Sequence, residues 1–304
     1  MLYLKGLSMG GADVIPGVSG GTIAFITGIY SELVHSIKAI DAQALRLLLS
    51  LQFKAFWEKI NGGFLLAVFA GIVTSLLSLA KLMVSLLKSY PVQTWSFFFG
   101  LILISSPLIL RSIMRWNIAV VGSIVVGIVV AYLITVSSPT QSPEALWFVF
   151  LSGALAICAM ILPGISGAFI LLLIGKYEFI MQALLAVNLP VIITFALGCL
   201  IGIIAFSWVL TWILDHYHDL TIALLAGFML GSLNKVWPWK QCLSYHLDSN
   251  GQQECAFDKS ILPGTYMANS GNDPQVFQAI LFGALGVIIV LLIEKVAERM
   301  KTKI

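Results

Sequence analysis

The chain has 304 residues, of which 59% are hydrophobic and only 10% charged, and its mean hydropathy of +0.99 excludes a soluble globule and points to a polytopic membrane protein. The net charge is only +3, and the basic residues are spread over loops and tail rather than gathered in a patch, which argues against nucleic acid as a partner. Residues Met1 to Gly6 reach Asp13 and Pro16 without a long apolar core, so no signal peptide is expected.

Residues 4–30 hold the first broken segment, around Pro16-Gly17-Val18-Ser19-Gly20-Gly21-Thr22. Proline and small residues stop a helix there, and the segment reads as a re-entrant hairpin or a pair of half-helices. Residues 31–60 place Leu33, Ile37, Ile40, Ala44, Leu47, Leu48 and Leu51 at helical spacing among Lys38, Asp41, Arg46, Lys54, Glu58 and Lys59, which predicts an interfacial amphipathic helix or helix pair. Three stretches at about 62–87, 92–110 and 116–136 are each long enough to span roughly 30 Å of hydrocarbon.

After the polar 137–143 the plan returns. A second broken segment over 145–175 carries Pro163-Gly164-Ile165-Ser166-Gly167-Ala168 and matches the first at one constant offset, Ile23 with Ile170, Gly28 with Gly175 and Tyr30 with Tyr177. Lys176 to Asn188 reads as a short linker, and spanning helices are expected at about 189–214, 219–237 and 275–294. Residues from Gly100 to Ser105 resemble those from Gly227 to Ser232 where a duplication requires it. The predicted fold is an all-α polytopic membrane protein of two repeats, 1–137 and 145–304, each a re-entrant hairpin plus about three spanning helices. A cytoplasmic tail of Lys295, Arg299, Lys301 and Lys303 puts most of the 17 basic residues on that side. An odd number of crossings then separates the halves and makes the repeat inverted, as in many secondary transporters.

The chemistry is expected at the two breaks. Ser19 and Ser166 are placed to cap half-helices, whose N-termini attract phosphate or carboxylate. Gly20, Gly21, Thr22 and Gly167 complete the proposed anion site, the glycines letting a ligand approach the backbone. The competing reading is that these glycines only allow close helix packing. Arg111 is the candidate for bidentate pairing with a phosphate, although an arginine at a helix end is often an anchor. Asp13, inside the broken segment, is the first candidate for carrying a proton or ion, with Glu32 and Glu178 next; the position matching Asp13 in the second half is Met160. Four histidines form no persuasive metal set, and neither a metal nor a cofactor is predicted. Cys158 and Cys199 lie in apolar runs, whereas Cys242 and Cys255 flank a polar loop over 239–274. They pair if the loop faces an oxidising side and otherwise stay two inert thiols.

Gly10 to Tyr30, the repeat from Leu162 to Gly167 and Leu230-Gly-Ser-Leu-Asn-Lys-Val-Trp-Pro-Trp239 resemble the bacterial polyprenyl-phosphate transporter family PopT over nearly the whole chain. The resemblance implies a protein of the bacterial plasma (inner) membrane that returns undecaprenyl phosphate, a lipid carrier of cell-wall precursors, from the outer to the inner leaflet, with membrane lipids as its other partners. Homo-oligomerisation is left open. Rival readings are a polyprenyl-pyrophosphate phosphatase, disfavoured because Gly20 and Gly167 stand where such enzymes carry an arginine after the serine, and a small-anion transporter or channel.

Overall fold

The computed structural model describes residues 1–13, 19–138, 140, 142–247 and 253–301; Pro16, Gly17 and Val18 of the first turn and Lys303 of the basic tail lie outside the described residues. The first half holds α1 (Leu2–Asp13), α2 (Gly20–Ile26), α3 (Tyr30–Lys38), α4 (Ala42–Leu49), α5 (Phe53–Lys59), α6 (Gly62–Ser89), α7 (Pro91–Leu110) and α8 (Ile118–Val136). The second holds α9 (Leu146–Ile161), α10 (Gly167–Leu173), α11 (Tyr177–Leu185), α12 (Leu189–His216) and α13 (His218–Ser232), then a hairpin of β1 (Lys240–Leu247) and β2 (Gln253–Ser260), α14 (Pro263–Ser270) and α15 (Val276–Lys301).

Local signals set many of these ends. Asp41 accepts from the Ala44 amide and Asn117 from the Val120 amide, both at 2.8 Å, so each caps its helix. Pro91 and Pro190 sit in the first turns of α7 and α12, where proline costs no hydrogen bond. Gly28 and Gly175, at φ +71° and +65°, end α2 and α10 in a conformation that glycine adopts without strain. Helices α7, α8, α12 and α15 are long and apolar enough to cross a membrane. Apolar side chains on their outer faces, such as Ile118, Phe277 and Leu200, are exposed, as lipid contact requires. The chain is an all-α, multi-pass membrane protein with one small sheet.

Three expectations are corrected. Residues 176–188 are not a plain linker, because α11 occupies the place of α3, turned 109° from α10. Its nine residues are too few to cross a bilayer and follow the break directly, so they read as a connection. Residues 31–60 form three helices rather than one or two, broken by the Asp41 cap and by Leu51 at φ +58°. Helix α13 stops at Ser232 after 15 residues, roughly 22 Å at 1.5 Å per residue, short of the bilayer core.

Paired contacts recur in the two halves of the chain. Helices α6 and α12 each have 28 residues, and the extra length of the first half is the α4–α5 insertion. Helix α1 lies along α6 and α9 along α12. An added Cβ at Gly6 would stand 2.2 Å from the Val68 carbonyl oxygen and one at Gly153 2.4 Å from that of Phe195, which are equivalent contacts. At the α6–α7 corner the Thr94 hydroxyl meets the Leu86 and Tyr90 carbonyls at 3.3 and 2.8 Å; at the α12–α13 corner Thr221 meets Ile213 and Tyr217 at 3.3 and 2.9 Å. The halves also exchange helices, α8 packing on α13 and α15 on α7.

Candidate substrate site

The two broken segments meet. Ser19 is the extended N-cap of α2; its hydroxyl accepts from the Gly21 amide at 3.1 Å and donates to the carbonyl of Met160, near the end of α9, at 2.8 Å. The fully buried Thr22 hydroxyl accepts from the Gly164 amide at 2.9 Å. A Cβ on Gly21 would lie 2.4 Å from the Ile161 carbonyl oxygen. The tips are therefore locked by hydrogen bonds and by backbone contact that only glycine permits.

The glycines thus hold protein where open space was expected. A Cβ on Gly20 would stand 2.5 Å from an Asp13 carboxylate oxygen, and one on Gly167 2.4 Å from the Ala156 carbonyl oxygen. Close packing, the competing reading, describes these positions in this conformation.

The tips differ in charge. Asp13 accepts from the Gly20 amide at 2.6 Å, so the first turn of α2 is satisfied by a carboxylate seven residues upstream together with Ser19. Met160 holds the equivalent place in the second half and offers no such acceptor. Ser166 is extended and buried but makes no capping bond from its side chain, which leaves the positive end of α10 without a side-chain partner among the described residues.

The other predicted residues have partners away from the tips. Exposed Glu32 accepts from Asn61 at 3.0 Å, and Glu178 is exposed in the first turn of α11. The Arg111 guanidinium lies 3.5 Å from Glu294 of α15 and is 72% exposed. Beside this pair opens a cavity of about 460 Å³ lined by Phe25, Tyr30, Ser105, Ser112, His218 and Glu294. The structure forms the Cys242–Cys255 disulfide, which ties β1 to β2.

Sequence reasoning missed a cationic cluster near the second tip. Lys235 lies 3.1 and 3.3 Å from the two carboxylate oxygens of Asp258, and Lys240 lies 3.5 Å from one of them. The two lysine side chains are only 14% and 16% exposed. The Lys235 ammonium also sits 4.6 Å above the ring of Phe169, in the first turn of α10. Burial pushes the Lys240 ammonium down to about 8 from 10.5, against the opposing pull of Asp258 and with the help of Lys235. Lys235 stands inside the 230–239 motif, but its partner comes from a strand in a polar segment with no periodicity to read.

The family model of undecaprenyl phosphate translocase-like proteins matches residues 9–254. This chain belongs to that family. The matched span contains both tips and both lysines and ends before Asp258. A polyprenyl-phosphate transporter of Vibrio cholerae serotype O1 is 44% identical over 297 residues, covering 98% of this chain and 96% of the relative. A polyprenyl-phosphate transporter of Staphylococcus aureus is 33% identical over 254 residues, covering 77% and 85%. No solved structure matches the chain.

Proposed function

We propose that this protein moves undecaprenyl phosphate from the outer to the inner leaflet of the bacterial plasma membrane. The two repeats are inserted in opposite senses, the C-terminus lies in the cytoplasm, and each hairpin enters as a re-entrant loop from its own face. The observation that carries the reading is the contact between the hairpin tips, Ser19 with Met160 and Thr22 with Gly164. A rocking motion of one repeat against the other breaks and remakes that contact, opening the path alternately to each side. Family membership and the names of the relatives support the substrate.

The head group is received at the tips, by the first turns of α2 (Ser19 to Thr22) and α10 (Ser166, Gly167), and Arg111 receives it on the cytoplasmic side by leaving Glu294. Moving an anion into a negative interior costs about 2.3 kcal/mol per charge per 100 mV, so transport is coupled to ions or protons. Asp13 is the coupling group: as a carboxylate it holds the Gly20 amide, and once protonated it yields that amide to the phosphate. Glu32 and Glu178 are assigned the passage of protons at the two surfaces.

The test is movement of polyprenyl phosphate across proteoliposome membranes under an imposed pH gradient. The wild type is expected to be accelerated by the gradient. Asp13→Asn is neutral like the protonated acid but cannot titrate, and is expected to transport without that acceleration; if it responds to the gradient as the wild type does, the coupling role goes to another residue. A wild-type protein that moves no polyprenyl phosphate ends the reading as a whole.

A further inference from the structure

Among the described residues, Lys235 and Lys240 meet a single carboxylate, that of Asp258, and their charge is unbalanced. Two ammonium groups share one carboxylate in a setting that is mostly buried, and an uncompensated charge is costly to bury. Lys240 also donates to the Asn234 carbonyl at 3.0 Å, and Ser260 donates to the same oxygen at 2.9 Å. Asn234 and Ser260 line a cavity of about 450 Å³ whose other walls include Phe99, Leu233, Trp237 and Leu262. Lys240 thus reaches one end of this space through the Asn234 carbonyl, Lys235 follows Asn234 in the chain, and most of the other walls are apolar. A phosphomonoester carries about −1.5 to −2 near neutral pH, which balances two ammonium groups as a single carboxylate does not.

We infer that Lys235 and Lys240 form a binding site for the phosphate of a prenyl phosphomonoester, that the Asp258 carboxylate occupies it in this conformation, and that the adjoining cavity takes the first isoprene units. This deepens the proposed function and rests on it. Asp258 comes from a disulfide-tied hairpin, so an incoming phosphate displaces one carboxylate held on a rigid arm. Lys235, above Phe169, then stands at the start of α10, the tip that lacks an internal acid.

The experiment measures binding of farnesyl phosphate, and separately of inorganic phosphate, to the full-length protein in nanodiscs. Asp258→Asn removes the competing carboxylate and is expected to tighten farnesyl phosphate binding about tenfold. Lys235→Gln is expected to weaken it about tenfold, Lys235→Arg to retain it, and the Asp258→Asn, Lys235→Gln double variant to lose the gain. Unchanged or weaker binding in Asp258→Asn, with the disulfide and melting temperature of the wild type, overturns the inference. If that variant fails to fold, equal affinities of the Gln and Arg variants at 235 overturn it. A gain confined to inorganic phosphate assigns the cluster to a soluble anion and overturns the lipid assignment. Wild-type flipping measured alongside separates the two levels: flipping with unresponsive variants defeats this site alone, and absent flipping defeats the function on which it rests.

Discussion

Gly21→Val is expected to abolish lipid-phosphate transport while leaving the protein folded in the membrane. The first atom of the new side chain would lie 2.4 Å from the Ile161 carbonyl oxygen and 3.0 Å from its carbon. Those are backbone atoms at the end of α9, and they cannot rotate aside as a flexible side chain would. Overpacking of this kind costs about 1–3 kcal/mol. Relief by separating the tips forfeits the Ser19–Met160 and Thr22–Gly164 hydrogen bonds, each worth about 1 kcal/mol. The total is a few kcal/mol, below the roughly 5–15 kcal/mol that holds a typical protein folded, and all of it falls on the contact between the tips, which the proposed rocking breaks and remakes. Gly122→Val is the control, because nothing lies within 4 Å of a Cβ at that exposed position in α8, and transport should be unchanged. A Gly21→Val protein that flips lipid at the wild-type rate would mean that the tips do not need to meet.

The second large effect is a pH window for head-group binding. Lys240 is held down to about 8 by burial, and among the described residues the charged groups facing it are Asp258 and Lys235, since α14 brings none. Below about 8 the Lys240 ammonium is charged; above it that charge is lost. The phosphate gains its second charge at about pH 6. Affinity for a prenyl phosphate is therefore expected to rise through about 6, hold, and fall through about 8. Losing one charge-assisted hydrogen bond is worth about 1.5–3 kcal/mol, roughly 10- to 150-fold in affinity. Lys240→Arg keeps its charge throughout and should remove the upper limb. A titration of affinity against pH on both proteins decides it, and identical upper limbs would exclude Lys240 from the site. Folding responds in the opposite sense. The native state gives up this proton below the ordinary lysine value of 10.5, so between about 8 and 10.5 the unfolded chain binds more protons and stability rises with pH.

What could be read without coordinates was whatever rests on local rules. A bilayer demands long apolar helices, so α6, α7, α8, α12 and α15 showed as uninterrupted hydropathy. Proline and glycine stop helices wherever they stand, so both breaks showed as one repeated motif, and the spacing from Ile23 to Tyr30 returns from Ile170 to Tyr177. Helix α11 went unread because its nine residues are too few to span a bilayer and follow the second break directly.

The role of each glycine, by contrast, was decided by tertiary packing. A sequence records that Gly20 and Gly21 lack a side chain, but not whether a ligand, the Asp13 carboxylate or the Ile161 carbonyl fills the space. Asp13 likewise read as an isolated acid in lipid, and only the fold of the first hairpin turns it onto the Gly20 amide. Lys235 lies just past the end of α13 and Lys240 opens β1, and both meet Asp258 of β2 across a polar segment whose strand pairing no local pattern announces. Spacing along the chain reports neighbours one turn away; the electrostatics of a buried site depend on which distant segments exclude water from the same few charges.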